Sequence, residues 1–211
     1  MYCKRFDSIL SSLHFTNREV TYEDGLFHIL QSEGAWNQNM DQQFLPWWIN
    51  ILDESMIEWF NKWGPVFIFV VCNPYPFGNE QHTIFCALAS ILWRAQIVEG
   101  KDRPTQIILK KWKDLVKTVG IMLWMCKPIF LTRKCVVLYS GFCVSKGITA
   151  LLGFGVYASA LINKRKYWTK AVPGDDIDQY FSEKYVTYVD MLEAITEDCH
   201  EGKSFNIFCL K

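Results

Sequence analysis

The chain is short of the features that settle a protein's class at sight. Its longest apolar run, Val66–Cys72, is far shorter than the roughly 20 residues a membrane-spanning helix needs, so no membrane partner is expected. The opening MYCKRFDSILSSLHF holds neither an extended apolar segment nor a small-residue cleavage site, which argues against a secretory leader. No Cys-x-x-Cys is present, and no cysteine–histidine quartet has the spacing of a zinc site. The eight cysteines, at 3, 72, 86, 126, 135, 143, 199 and 209, are scattered, and several lie inside apolar runs. They read as buried free thiols of a reducing compartment. There is no internal repeat and no low-complexity tract. An excess of one charge is missing too, because 22 basic and 22 acidic side chains cancel.

What is present points to a folded domain. The length of 211 residues suits one domain with room for a small appendage, and a chain that is 50% hydrophobic can bury a sizeable core. The balanced charge hides an uneven distribution. Residues 1–100 carry five basic and eleven acidic side chains, 101–170 carry fourteen and two, and 171–211 carry three and nine. The central block could follow a phosphate backbone, or it could form the solvated faces of helices. Both readings stay open.

Periodicity predicts the elements. Phe6, Ile9, Leu10 and Leu13 recur at helical spacing within residues 2–15. Short helices are expected around Gly25–Ser32 and over Asn39–Trp48, the latter interrupted by Pro46. Ile49–Leu52 is a strand that leads at its end into Asp53-Glu54-Ser55. Gln81–Ala89 and Leu92–Glu99 form a hairpin. A helix opened by Pro104 presents Ile107, Ile108, Trp112, Leu115, Val116 and Val119 on one face, with Gly120 as its stop or kink. Cys135–Leu138 is a strand, Ser145–Leu152 a helix capped by Ser145 and stopped at Gly153 or Gly155, and Val156–Ile162 another strand. A strand-like pair around Val186–Met191 and Phe205–Leu210 closes the chain. Strand, hairpin, helix, strand, helix, strand is the order of an α/β, RNase H-like mixed sheet flanked by helices. An antiparallel meander comes first, and a parallel strand follows by a helical crossover.

Ordered segments carry a resemblance. WWINILDESM (47–56) resembles the first catalytic strand of piggyBac-type transposases, and RFDSILSSLHFTN (5–17) the helix before it. NPYPFGNEQHTI (73–84) is similar to the connection into the second strand, and VEGKDRP (98–104) to the segment after the third. Residues 134–175, from KCVVLYSGF to AVPGD, resemble the region around the second catalytic aspartate, the next helix and the fifth strand. The resemblance implies a DDE/DDD nuclease domain whose active members use two Mg²⁺ ions held by three aspartates.

The first of those aspartates falls on Asp53, and adjacent strand residues point to opposite faces, so Glu54 cannot easily share its ion. The second falls directly after Val136-Val137-Leu138, where this chain has Tyr139. A phenol is uncharged near neutral pH, and neither it nor Ser140 replaces a carboxylate. The third is expected downstream of the matched segments. Asp175, Asp176, Asp178, Asp190 and Asp198 lie in none of these segments and read as acidic surface. His82 is expected to be a structural strand histidine. Tyr167-Trp168 beside Lys164-Arg165-Lys166 is either a stacking platform next to a phosphate-binding run or a structural corner.

The resulting expectation is a degenerate transposase domain, incomplete at its C-terminal side. Residues 1–46 are a helical remnant of the N-terminal region, and residues 47–211 a partial RNase H-like domain. No catalytic activity and no cofactor are expected, and Asp53 keeps at most a weak metal contact. Candidate nucleic-acid contacts are Lys110, Lys111, Lys113, Lys117, Lys164, Arg165 and Lys166. The resemblance implies a nuclear location and DNA as a partner, alongside a second copy or a related transposase. The alternatives are a retained DNA-binding or protein-interaction module, and an active nuclease whose missing acids come from elsewhere.

Overall fold

The computed structural model describes residues 3–12, 25–58, 62–71, 74–100, 111–112, 114–160, 191–198 and 203–210. In chain order the elements are α1 (Cys3–Ser12), α2 (Phe27–Gln43), β1 (Ile49–Glu58), β2 (Ile68–Phe69), β3 (Phe77–Cys86) and β4 (Ile91–Ile97). After these come α3 (Lys117–Cys126), β5 (Cys135–Leu138), α4 (Ser145–Gly153), β6 (Tyr157–Ala160), β7 (Met191–Asp198) and β8 (Lys203–Leu210). They divide into two units, residues 1–160 and residues 161–211.

The first unit is a mixed sheet centred on β1. On one side β1 pairs antiparallel with β3, which also pairs with β4 and with the short β2. On the other side it pairs parallel with β5, and β5 with β6. A parallel neighbour requires a crossover, and α3 lies on the path between β4 and β5, as α4 does between β5 and β6. The side chains of alternate residues therefore divide into two sets. Leu52, Ile84, Cys86, Val136 and Leu138 are buried and pack with Val119, Met122, Leu123 and Met125 of α3 and Leu151 of α4. Asn50 is a satisfied polar group inside this core: it accepts from the Trp93 indole N–H (3.0 Å) and donates to the Trp47 carbonyl (3.1 Å). The buried Cys86 and Cys126 are free thiols, and burial pushes Cys126 up to about 12, which makes it inert.

The open edge of β4 is covered by side chains rather than by another strand. Asn37 accepts from the Ala95 N–H (2.9 Å) and donates to the Ala95 carbonyl (2.7 Å), while Glu33 accepts from the Ile97 N–H (2.5 Å). Glu33, Asn37 and Asp41 recur every four residues along α2, so one helical face meets Ile97, Ala95 and Arg94 of the strand. Asp41 completes the row with a 3.2 Å ion pair to Arg94, whose guanidinium lies 4.2 Å over the Trp124 ring.

Several expectations are corrected. The two short helices before β1 are one helix, α2, which runs through the exposed Gly34 and ends before Pro46. Asp53 does not end its strand; pairing with β3 carries β1 on to Glu58. Among the described residues Lys111 is helical and α3 begins at Lys117; Val116 between them is extended (φ −57°, ψ 139°), so the expected face does not run unbroken into Val119, and Gly120 lies buried inside α3. Residues 101–110, with Pro104, lie outside the described residues. Ser145 makes no capping bond, since the cap position is Val144, and Gly155 in a left-handed conformation (φ 69°) provides the stop after α4. The strand after it is described over Tyr157–Ala160, and the NKRKYW turn lies outside the described residues.

In the second unit β7 and β8 form a two-stranded antiparallel sheet, with Met191 opposite Leu210 and Asp198 opposite Lys203. Its first strand is described over Met191–Asp198, and residues 186–190 of the expected strand lie outside the described residues.

Candidate functional site

Alternation along β1 sets the chemistry of both sheet faces. Asn50 and Leu52 are buried on the helix-covered face, so Glu54 projects from that face, while Ile51 and Asp53 project from the other. On β5, Val136 and Leu138 are buried, so Val137 and Tyr139 belong with Asp53. The parallel register pairs Leu52 with Leu138, and the Tyr139 N–H donates to the Leu52 carbonyl at 3.0 Å. Asp53 and Tyr139 thus stand side by side on neighbouring strands. Tyr139 is exposed.

Asp53 is opposite Thr83, whose hydroxyl donates to the Asp53 carbonyl (3.3 Å). One carboxylate oxygen of Asp53 accepts the Glu54 N–H at 2.7 Å. Partial burial pushes the Asp53 carboxyl above its ordinary range, and that N–H offsets part of the rise. Its register neighbours on this face are Ile51, Ser55, Gln81, Thr83, Phe85, Val137 and Tyr139, none of them a carboxylate.

The helix-covered face holds a denser cluster. Glu54 is the direct partner of His82 across β1 and β3, and Glu80 is two residues along β3 on the same face. One ligating atom from each of Glu54, Glu80 and His82 lies within 4.8 Å of the others. Burial holds His82 down at about 4, helped by the charge of Lys117, so the imidazole is neutral at pH 7. Burial raises Glu80, which Lys117 partly counters. Glu54 is raised first by partial desolvation, then by the charges of Glu80 and Asp53. The turn after β5 walls the cluster: Phe142 meets the His82 ring edge-on at 5.3 Å, and a Cβ built on Gly141 would run into the Glu54 carboxylate.

The family model for Transposase IS4 matches residues 1–203. The chain belongs to the IS4 transposase family. No curated protein matches the sequence. Among solved structures, the fold resembles a piggyBac transposase in a synaptic complex with hairpin DNA, with a TM-score of 0.64 at 11% identity. The match covers 97% of this chain and 42% of that one, so the chain spans less than half of that transposase. The mixed sheet and its flanking helices are accordingly the RNase H-like fold of the piggyBac type.

The Mg²⁺ ions used by such transposases do not fit the donor set around Asp53. Hard divalent ions in a two-metal site need clustered carboxylates. Among the described residues Asp53 has a phenol on one side and a threonine on the other. Of the expected nucleic-acid contacts, Lys111 is exposed with Nζ 5.0 Å from the Trp112 ring, and Lys117 is exposed at the first position of α3. Lys110, Lys113, Lys164, Arg165 and Lys166 lie outside the described residues, as do Tyr167 and Trp168. The sequence reading missed the Glu54–Glu80–His82 cluster. Its signal was Glu80-x-His82 on a strand, two residues apart and hence on one face.

Proposed function

We propose that this transposase-family domain does not cut DNA. The observation that carries the reading is the register of Asp53 beside Tyr139: a second carboxylate for a shared ion would have to come from the position the phenol occupies. Without that carboxylate the pair of ions that activates the attacking oxygen and steadies the leaving oxygen has no seat. The test is nicking of supercoiled DNA by the full chain with Mg²⁺ or Mn²⁺, with Asp53→Ala as control. Equal background for both proteins is expected. Nicking that Asp53→Ala abolishes overturns the proposal.

A second reading, a retained DNA-binding module, has support from two observations. The solved relative is a complex with hairpin DNA, and residues 101–170 carry fourteen basic against two acidic side chains. On this reading Lys110, Lys111, Lys113, Lys117 and the Lys164-Arg165-Lys166 run meet phosphates, and affinity falls steeply with salt. Fluorescence anisotropy with a duplex at low and physiological salt tests it; no binding at low salt removes it. A nuclear location would follow from such a role.

A further inference from the structure

We propose that Glu54, Glu80 and His82 form a binding site for a divalent transition metal, on the opposite face of the sheet from Asp53. Three ligating atoms from two adjacent strands lie within 4.8 Å of one another. Strands position ligands more firmly than loops do. The second observation is His82 itself. The residue is 8% exposed and its Nδ1 is buried without a hydrogen-bond partner. A buried polar nitrogen without a partner is costly, and a metal bond or a proton shared within the cluster would relieve it.

The carboxylates point the same way. Among the described residues no ion pair within 4 Å engages Glu54 or Glu80. Two negative groups on one face repel each other, and the single charge of Lys117 meets only part of their demand. A neutral imidazole with two carboxylates is the donor set of Zn²⁺, Mn²⁺ or Fe²⁺, whereas Mg²⁺ and Ca²⁺ take oxygen ligands alone. Donors in a tetrahedral zinc shell with bonds of ~2.0–2.1 Å lie ~3.3 Å apart. The gap closes by a change of rotamer at Glu54, which is exposed and free of side-chain bonds that would hold it. Three protein ligands leave a fourth position for water on the Glu54 side. The site does not depend on whether the domain cuts DNA.

Calorimetric titration of the reduced full chain with Zn²⁺, and separately with Mg²⁺, tests the site. One saturable zinc site is expected, with Mg²⁺ much weaker. Glu54→Gln and Glu80→Gln should each weaken zinc by at least ~10-fold, the loss that removing even an outer-shell partner causes. Asp53→Asn, on the other face, removes a nearby charge but no ligand and should weaken zinc far less than Glu54→Gln. His82→Gln should abolish binding, and because His82 is buried its fold is checked by circular dichroism; Glu54→Gln carries the test if that variant unfolds. No saturable binding, zinc binding untouched by Glu54→Gln (the cysteines then hold the ion), or Mg²⁺ binding as tight as Zn²⁺ each overturns the proposal.

Discussion

Asp53 and Glu54 share a peptide bond and face opposite sides of one sheet. Thr83 is the cross-strand partner of the first and His82 of the second. Asp53 looks toward Tyr139 across the parallel pair, while Glu54 joins Glu80 and His82 beneath the turn at Gly141. Two chemical environments are therefore separated by one residue of β1. The chemistry the family fold implies on one face and the cation chemistry on the other can be tested independently.

Tyr139→Asp should fold and should not nick DNA. The Tyr139 side chain is exposed, and its hydrogen bond to Leu52 is made by the main chain, so the exchange costs little stability. It places two carboxylates side by side, but among the described residues no third one joins that face. Plasmid nicking and a thermal melt check both halves. Nicking gained by this single change would show that a further acid reaches the face.

Asn37→Ala should destabilise the domain by on the order of 2–4 kcal/mol, because it strips the partner from both the N–H and the carbonyl of buried Ala95. Asn37→Asp keeps the acceptor but buries a carboxylate against the Ala95 carbonyl, and should destabilise at least as much at neutral pH. Urea unfolding monitored by tryptophan fluorescence reads the difference. The freed edge of β4 should also raise the tendency to aggregate, visible in light scattering.

Glu33 gives the stability a pH dependence with a definite sign. Burial, reinforced by the charge of Glu99, raises its carboxyl from the ordinary 4.5 to about 7, against the Ile97 N–H and Arg94. Below 4.5 the group is protonated folded or unfolded and changes nothing. Between 4.5 and 7 the native state holds a proton that the unfolded chain has released, so stability falls as pH rises, and above 7 the whole penalty remains. Glu33→Gln removes the charge and keeps an oxygen for the Ile97 N–H. It should match the parent near pH 4.5 and exceed it at pH 8 by on the order of 1–3 kcal/mol. His82, held down at about 4, has the opposite sign: its contribution is lost as pH falls from 6.5. That loss is common to both proteins and cancels in the comparison. Denaturation at the two pH values decides it.

Local signals made part of this architecture legible in advance. Val136-Val137-Leu138 is a short apolar run closed by Ser140-Gly141, and β5 has the expected bounds. The β3–β4 hairpin was visible as two strand-like runs with a short turn between them. α2 was read as two short helices, around Gly25–Ser32 and over Asn39–Trp48, and Gly34 falls in the gap between them. It is exposed on the helix, where a glycine costs only ~1 kcal/mol, and the bonds of Glu33, Asn37 and Asp41 to β4 and its Arg94 hold the helix through it. The end of β1 was placed too early because Asp53 and Glu54 disfavour strands locally, whereas pairing with β3 decides the matter over a distance. The Glu54–His82 contact depends on that same pairing, between residues 28 apart in sequence, and no local pattern reveals it. The reading of Tyr139 as standing in an aspartate's position comes from ordered resemblance rather than from periodicity; the register shows that Tyr139 and Asp53 are side by side.

Gly141→Ala separates a cation site from a mere cluster of polar groups. The backbone at Gly141 is not in the left-handed region, so alanine is conformationally acceptable there. The nearest atoms to the added Cβ belong to the far end of the Glu54 side chain, which can swing into solvent. Stability should therefore change by less than ~1 kcal/mol. A rotamer that takes the carboxylate into solvent carries it away from Glu80 and His82, so zinc affinity should fall, by no more than in Glu54→Gln. Combining the two substitutions should add little, since both remove the same ligand. If Gly141→Ala and Glu54→Gln both bind zinc like the parent, Glu54 is not a ligand and the three-residue site fails.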